Sequence, residues 1–295
     1  MTFGPDSVGS ILSHRGFRIE ATGDYKHLLF PWELRTGIGD GLLEASFSTF
    51  AKSSFRKFAR HLTSHDGGST LGDLQKIAGE ETEVYVQYLC DLGIADSSNN
   101  QVILTRQIDN IGPTLEWYVA NVCQSQFEGS AAWSVKLEDM RYGDFDVLAW
   151  LPPTLLYVET KSSRPEEIKD TEIKHFLQRG VELAPDLAIL LVDTDDDLED
   201  SGFLHKIYGI MLPTISPGDE ARVPVSRDTN ELFIEPQRGY SGISWGYRRF
   251  YVTNSKPSIE TQLRKCLRHF NARVKHTMFA SGPPLNFVTG EIEEY

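Results

Sequence analysis

Residues 144–161 read D-F-D-V-L-A-W-L-P-P-T-L-L-Y-V-E-T-K. Two apolar runs, 144–151 and 155–161, flank Pro152 and Pro153, which lack the backbone donors of a ladder and so mark the turn between two strands. Side chains alternate along a strand. Asp144 and Asp146 therefore share a face with Leu148 and Trp150, while Leu155, Tyr157, Glu159 and Lys161 share a face of the following strand. Two adjacent strands would then present carboxylates together, with a lysine beside them.

The flanking segments extend the pattern. Gly112 and Pro113 open a helix to about residue 127, with Pro in the first turn where its missing N–H costs nothing. A-A-W-S-V-K-L-E, 131–138, alternates as a strand; Pro165 starts a second helix to about residue 183; and D-L-A-I-L-L-V-D, 186–193, has the continuous apolar run of a central strand. The order α-β-β-β-α-β predicts an α/β fold. Glu-x-Lys occurs twice more, at Glu167-Ile168-Lys169 and Glu172-Ile173-Lys174, but there it falls on a helix, where residues two apart do not face each other. Only Glu159 and Lys161 follow an apolar strand whose predecessor also carries an acid.

Converging carboxylates repel unless a cation sits between them, and oxygen ligands suit magnesium or manganese. A bound divalent ion polarises a phosphodiester oxygen and acidifies its water, and a neighbouring lysine helps deprotonate or position that nucleophile. These residues point to a phosphodiesterase site; the structural alternative is an ion pair at the sheet margin. Glu116, in G-P-T-L-E-W-Y-V-A-N-V, shares a helical face with Val119, Ala120 and Cys123, a place where a carboxylate needs a partner.

On these residues, 112–193 resembles the PD-(D/E)xK nuclease superfamily, the restriction-endonuclease-like fold, whose core runs α-β-β-β-α-β. The motif Asp matches Asp146 in G-D-F-D-V-L-A-W, Glu-x-Lys matches Glu159-Thr160-Lys161, and a Glu common on the first core helix falls on Glu116. Phe145 replaces the Pro that usually precedes the motif Asp, and Asp144 is a rival for the metal-binding position. The resemblance implies that Asp146 and Glu159 bind Mg²⁺, or Mn²⁺, with the Thr160 carbonyl, that Lys161 assists the attacking water, and that Glu116 completes the site. It also implies a polar accessory residue on the second core helix, for which Gln178 is the candidate, one turn after Lys174.

Around this core the chain is less uniform. Residues 1–41 show no clear period. From 42 to 65, Leu43, Phe47, Phe50, Phe55, Phe58 and Leu62 recur at helical spacing with Lys52, Arg56, Lys57 and Arg60 between them, predicting one amphipathic helix with a basic side. Helices over 70–78 and to about 92, then a hairpin tipped by Asn99 and Asn100, resemble a winged helix-turn-helix domain over 42–106. The second helix would read DNA in that fold, yet 80–100 contains no Lys or Arg and carries Glu80, Glu81, Glu83, Asp91 and Asp96; a packing or protein-contact role suits it better. Residues 193–202, D-T-D-D-D-L-E-D-S-G, predict a solvated acidic loop, and 204–256 short strands. After Pro257 a helix carries Arg264, Lys265, Arg268, Arg273 and Lys275 against the single acid Glu260, the best candidate surface for a phosphate backbone.

The 295 residues suffice for two domains or a core with extensions, and their net charge of -13 argues against indiscriminate coating of nucleic acid. No apolar run approaches the roughly 20 residues that span a bilayer, so the expectation is a cytoplasmic protein with no membrane partner. Cys90, Cys123 and Cys266 are too few and too dispersed for a disulfide framework. The expected organisation is an N-terminal segment (1–41), a winged-helix-like domain (42–110), a nuclease core (111–215) and a β-rich and helical C-terminal extension (216–295). The expected function is metal-dependent hydrolysis of phosphodiester bonds, most naturally in DNA and in a microbial defence or restriction setting. A protein partner or homo-oligomer would form through the winged-helix-like region. The alternatives are a DNA-binding regulator and a partner-recruiting subunit, each with a latent or inactive core.

Overall fold

The computed structural model describes residues 7–30, 40–65, 67–198, 200–211, 225–226, 231–232 and 249–280. The elements in chain order are α1 (Val8–His14), β1 (Ile19–Ala21), α2 (Asp40–Ala51), α3 (Ser53–Thr63), β2 (Ser69–Thr70), α4 (Leu71–Ala78), α5 (Thr82–Asp91), β3 (Ala95–Ser98), β4 (Gln101–Leu104), α6 (Gly112–Ser125), β5 (Ser130–Leu137), β6 (Phe145–Leu151), β7 (Thr154–Lys161), α7 (Asp170–Leu183), β8 (Leu187–Val192), α8 (Phe203–Met211), β9 (Val225–Ser226), β10 (Glu231–Leu232), β11 (Arg249–Thr253) and α9 (Ile259–Ala280). The molecule is mixed α/β.

Six strands form the central sheet in the order β1-β5-β6-β7-β8-β11. β5, β6 and β7 are antiparallel neighbours, whereas β7, β8 and β11 run parallel. Alternation along the strands divides the core into two layers. Val147, Ala149, Leu156, Val158, Ile189 and Leu191 pack with Val119 and Cys123 of α6 and Leu263 and Cys266 of α9; Leu148, Leu155, Tyr157, Ala188 and Leu190 pack with Leu12 of α1, Phe176 of α7 and Ile207 of α8. The sheet is thus covered on both faces, as parallel strands require. Its outer strands come from the segments expected to lie apart: β1 pairs with β5 and β11 with β8. The boundaries at 41 and 216 therefore do not bound the sheet, because three to five residues of β structure carry no periodic signal that links them to partners more than 60 residues away.

The N-terminal helical unit contains a three-stranded antiparallel sheet, β2-β4-β3, with α4 and α5 between β2 and β3. The single helix expected over 42–65 is two helices broken at Lys52, whose ψ of 126° is extended. Arg56 makes the break tolerable: its Nη1 donates to the carbonyls of Phe50 and Ala51 at 2.9 and 2.7 Å, satisfying acceptors at the end of α2. The start of the region expected as short strands is instead helical in α8, where Phe203, Leu204 and Ile207 bury one stripe against the sheet. β9 and β10 are the described strands of that region; most of 212–248 lies outside the described residues.

The acidic loop is not fully solvated. Asp193 is buried and accepts from Arg56 Nε at 2.8 Å and from Arg60 Nη2 at 2.7 Å, while Lys57 meets Asp195 at 2.5 Å. The basic side of α3 is thereby spent on the chain segment that follows β8, which fastens the helical unit to the sheet.

Candidate active site

The β6–β7 ladder runs from Leu151↔Thr154 to Val147↔Val158 and stops there. β6 stays with β5 one pair further, at Phe145↔Val135. The seam between β6 and β7 therefore opens at the level of Asp146 and Glu159, which one more step of the register would place opposite each other. Asp146 fills the opening: its Oδ2 accepts from the Thr160 N–H at 2.7 Å and from the Thr160 hydroxyl at 3.1 Å.

Glu159 is buried and fully engaged. Its Oε1 pairs with Lys161 at 3.0 Å and with Arg179 of α7 at 2.6 Å, and its Oε2 accepts from the Tyr157 hydroxyl at 2.5 Å. Lys161 also lies 3.2 Å from Glu172. Burial acts to lower Lys161, but Glu159 and Asp146 outweigh it and hold the ammonium above its ordinary range. Lys161 is protonated at neutral pH.

Glu116 approaches from α6, on the other face of the sheet. Burial, then Asp146 and Glu159, push its carboxyl up to about 9. Burial and Glu159 raise Asp146 to about 7, against the lowering pull of Lys161 and the Thr160 N–H. Among the described residues no hydrogen bond or ion pair engages the Glu116 carboxylate or Asp146 Oδ1, and no group of three His, Cys, Asp or Glu side chains is gathered as a metal cluster. The donor set nevertheless suits a hard divalent cation: carboxyl oxygens without a described donor, whose proton affinity is raised first by burial and then by the neighbouring acids. Glu116, Asp146 and, once released by Lys161, Glu159 could hold Mg²⁺ or Mn²⁺, beside the Thr160 backbone.

The remaining candidates are placed differently. Gln178 is exposed, because α7 turns Ile173, Phe176, Leu177 and Gly180 inward and leaves it on the outer side. Its neighbour Arg179 is the residue that enters the site. That position lies on the buried stripe of α7, three residues from Phe176, so a charged residue on an apolar period was the available signal. Asp144 precedes β6 with its side chain exposed, and its carbonyl accepts from Arg179 at 2.8 Å. On α9, Arg264 pairs with Glu260 at 2.8 Å and lies 5.1 Å from the centre of the Phe127 ring. Lys265 is half-buried and Arg268 exposed; the side chains of Arg273 and Lys275 lie outside the described residues. The basic helix thus keeps Arg268 as its clearest free charge among those described.

No family model and no curated protein matches the chain. Among solved structures, protein VC1899 from Vibrio cholerae shares 17% identity at a TM-score of 0.43, over 69% of this chain and 57% of that one. The chain thus spans little more than half of that protein, and a likeness at this level assigns neither fold family nor activity. No helix among the described residues is long and apolar enough to cross a membrane.

Proposed function

We propose that the chain is a Mg²⁺-dependent nuclease of the PD-(D/E)xK kind, hydrolysing phosphodiester bonds in DNA, with α6-β5-β6-β7-α7-β8 as a restriction-endonuclease-like core. The observation that carries this reading is the gathering of carboxyl groups at the open end of the β6–β7 ladder, where buried Glu159 lies with half-buried Asp146, raised to about 7, and half-buried Glu116, raised to about 9. Carboxyl groups of raised proton affinity gathered at one point, with a lysine beside them, are the arrangement in which a divalent cation can displace the protons and meet a phosphate. When bound, the ion would polarise the scissile phosphate and acidify a water.

The chain's own groups then have distinct tasks. Asp146, through Oδ1, and Glu116 supply oxygens that no described protein donor occupies. Glu159 contributes the third carboxylate and ties Lys161 to the site. Lys161, held protonated, places a positive charge where negative charge grows on the phosphate and leaving oxygen. Thr160 fixes the Asp146 carboxylate through its N–H and hydroxyl.

A second reading, a nuclease that cuts only with a protein partner, draws on the outward face of α5. Glu83, Val84, Gln87 and Asp91, with Glu80 before them, are exposed there. That face offers no cation to a DNA backbone and suits contact with protein.

The test is incubation of the purified protein and of Lys161→Ala with plasmid, single-stranded DNA and RNA in Mg²⁺, Mn²⁺ or EDTA. The native chain should cut DNA only with metal, and Lys161→Ala should cut roughly 10²–10⁴-fold more slowly. Equal cutting by both proteins, or cutting in EDTA, overturns the site. Inertness of both directs the reading to the partner-dependent form.

A further inference from the structure

We propose that Arg179 is a positioning residue that holds the two acid-bearing strands at a fixed spacing where their own ladder has ended. Its value to catalysis rests on the nuclease reading; its geometry does not. The guanidinium bridges three points. Nη2 donates to Glu159 Oε1 on β7 at 2.6 Å, while Nη1 donates to the carbonyls of Tyr142 and Asp144 at 3.1 and 2.8 Å, in the loop that leads into β6 and Asp146.

Beyond Val147↔Val158 no ladder pair joins β6 to β7. Arg179 supplies the missing link from outside the sheet, because its planar fork can serve a carboxylate and two carbonyls at once, as a lysine ammonium cannot with the same rigidity. Two local features make the bridge. Gly143, with φ of +87°, turns the loop so that the carbonyls on either side of it reach one nitrogen. Gly180 lets α7 lie close on the sheet: a Cβ there would come within 2.7 Å of the Phe250 ring. Arg179 is consequently buried at the level of the acids, not on the rim.

The consequence falls on Asp146. Its Oδ2 reaches the Thr160 N–H only while the loop before β6 and the end of β7 keep their separation, and that separation is what Arg179 sets. Loss of the bridge would free the loop, release Asp146 from Thr160 and disperse the carboxylate set.

The experiment compares the native chain, Arg179→Met, Arg179→Lys and the neighbouring exposed Gln178→Ala by two readouts. In hydrogen exchange, the Thr160 amide should lose at least ~10-fold of its protection in Arg179→Met while amides at the centre of β8 keep theirs. In calorimetric titration with Mn²⁺ alone, Arg179→Met should bind roughly 10–100-fold more weakly, as expected when a group behind a ligand is removed. Arg179→Lys should recover part of both, and Gln178→Ala should change neither. A merely structural role would lower thermal stability without moving Mn²⁺ affinity in the folded variant.

Unchanged Thr160 protection in Arg179→Met overturns the positioning role. Changed protection with unchanged Mn²⁺ affinity overturns its bearing on the site. Absence of Mn²⁺ binding by the native chain overturns the metal reading instead, and the exchange readout then decides the positioning role by itself.

Discussion

Two charge clusters lie within one hydrogen bond of each other, since the Asp193 N–H donates to the Lys161 carbonyl at 2.8 Å, yet they are composed in opposite ways. Where α3 meets the end of β8, two guanidinium groups, Arg56 and Arg60, share the Asp193 carboxylate. Burial and then the neighbouring Arg56 draw Arg60 below its ordinary range, against the upward pull of Asp193. At the end of β6 and β7, Lys161 and Arg179 both pair with Glu159, Lys161 also meets Glu172, and among the described residues neither cation makes an ion pair with Glu116 or Asp146. Burial and Glu159 raise Asp146, and burial, Asp146 and Glu159 raise Glu116. A buried acid matched by cations fastens two parts of a fold; on the proposed reading, half-buried carboxyls without an ion-pair partner among the described residues are where a cation would arrive.

That contrast can be broken first at the joint. Arg56→Met leaves Asp193 buried with half its compensation and removes the donors to Phe50 and Ala51, so it should cost about 3–5 kcal/mol, measured by denaturant unfolding. A loss below about 1 kcal/mol, the range of an exposed pair, would show that the joint does not fasten the helical unit.

The acid cluster predicts a pH dependence of opposite origin. Asp146 and Glu116 have folded pKa values of about 7 and about 9, above the roughly 4 of unfolded carboxyls. The folded chain therefore holds protons that the unfolded chain releases. Without metal, their contribution is neutral below about pH 4 and becomes a growing penalty as pH rises to about 7 for Asp146 and about 9 for Glu116. A divalent cation should relieve that penalty, so the rise in Tm caused by saturating Mg²⁺ should be greater at pH 9 than at pH 6. An equal rise at both values would mean that the carboxyls do not meet the ion. The smallest effect is expected at Lys57, whose pair with Asp195 is partly exposed on both sides: Lys57→Ala should change stability by less than about 1 kcal/mol.

The order of core elements was legible because most carry a local signal: Pro113 at the start of α6, apolar runs in β6, β7 and β8, and alternation in β5. Pro165 instead opens a short 3-10 turn, Pro165–Glu167, and α7 starts only at Asp170, after Ile168 returns to extended backbone. The same alternation brought Glu159 and Lys161 to one face, where they pair at 3.0 Å. Alternation could not anticipate the turn of Asp146 into the seam, since that depends on where the β6–β7 ladder ends. Arg179 was legible in principle, as a cation on the buried stripe of α7, whereas Gln178 was favoured by its chemistry and lies outside. The joint was not legible. Arg56 and Asp193 are 137 residues apart, and each reads locally as an ordinary surface charge, one on an amphipathic helix and one in an acidic loop. β1 and β11 were missed for a related reason: a short edge strand is defined by its partner, not by its own sequence.

The most direct measurement is titration calorimetry of Mn²⁺ into the native chain and Asp146→Asn at pH 6 and pH 8.5, each in two buffers of different ionisation enthalpy. The native chain should bind more tightly at the higher pH and release about one proton or more near neutrality, because the carboxyls that receive the ion begin partly protonated. Asp146→Asn should lose most of that affinity. No binding by the native chain, or equal binding by Asp146→Asn, would contradict the assignment of these carboxyl groups as a metal site.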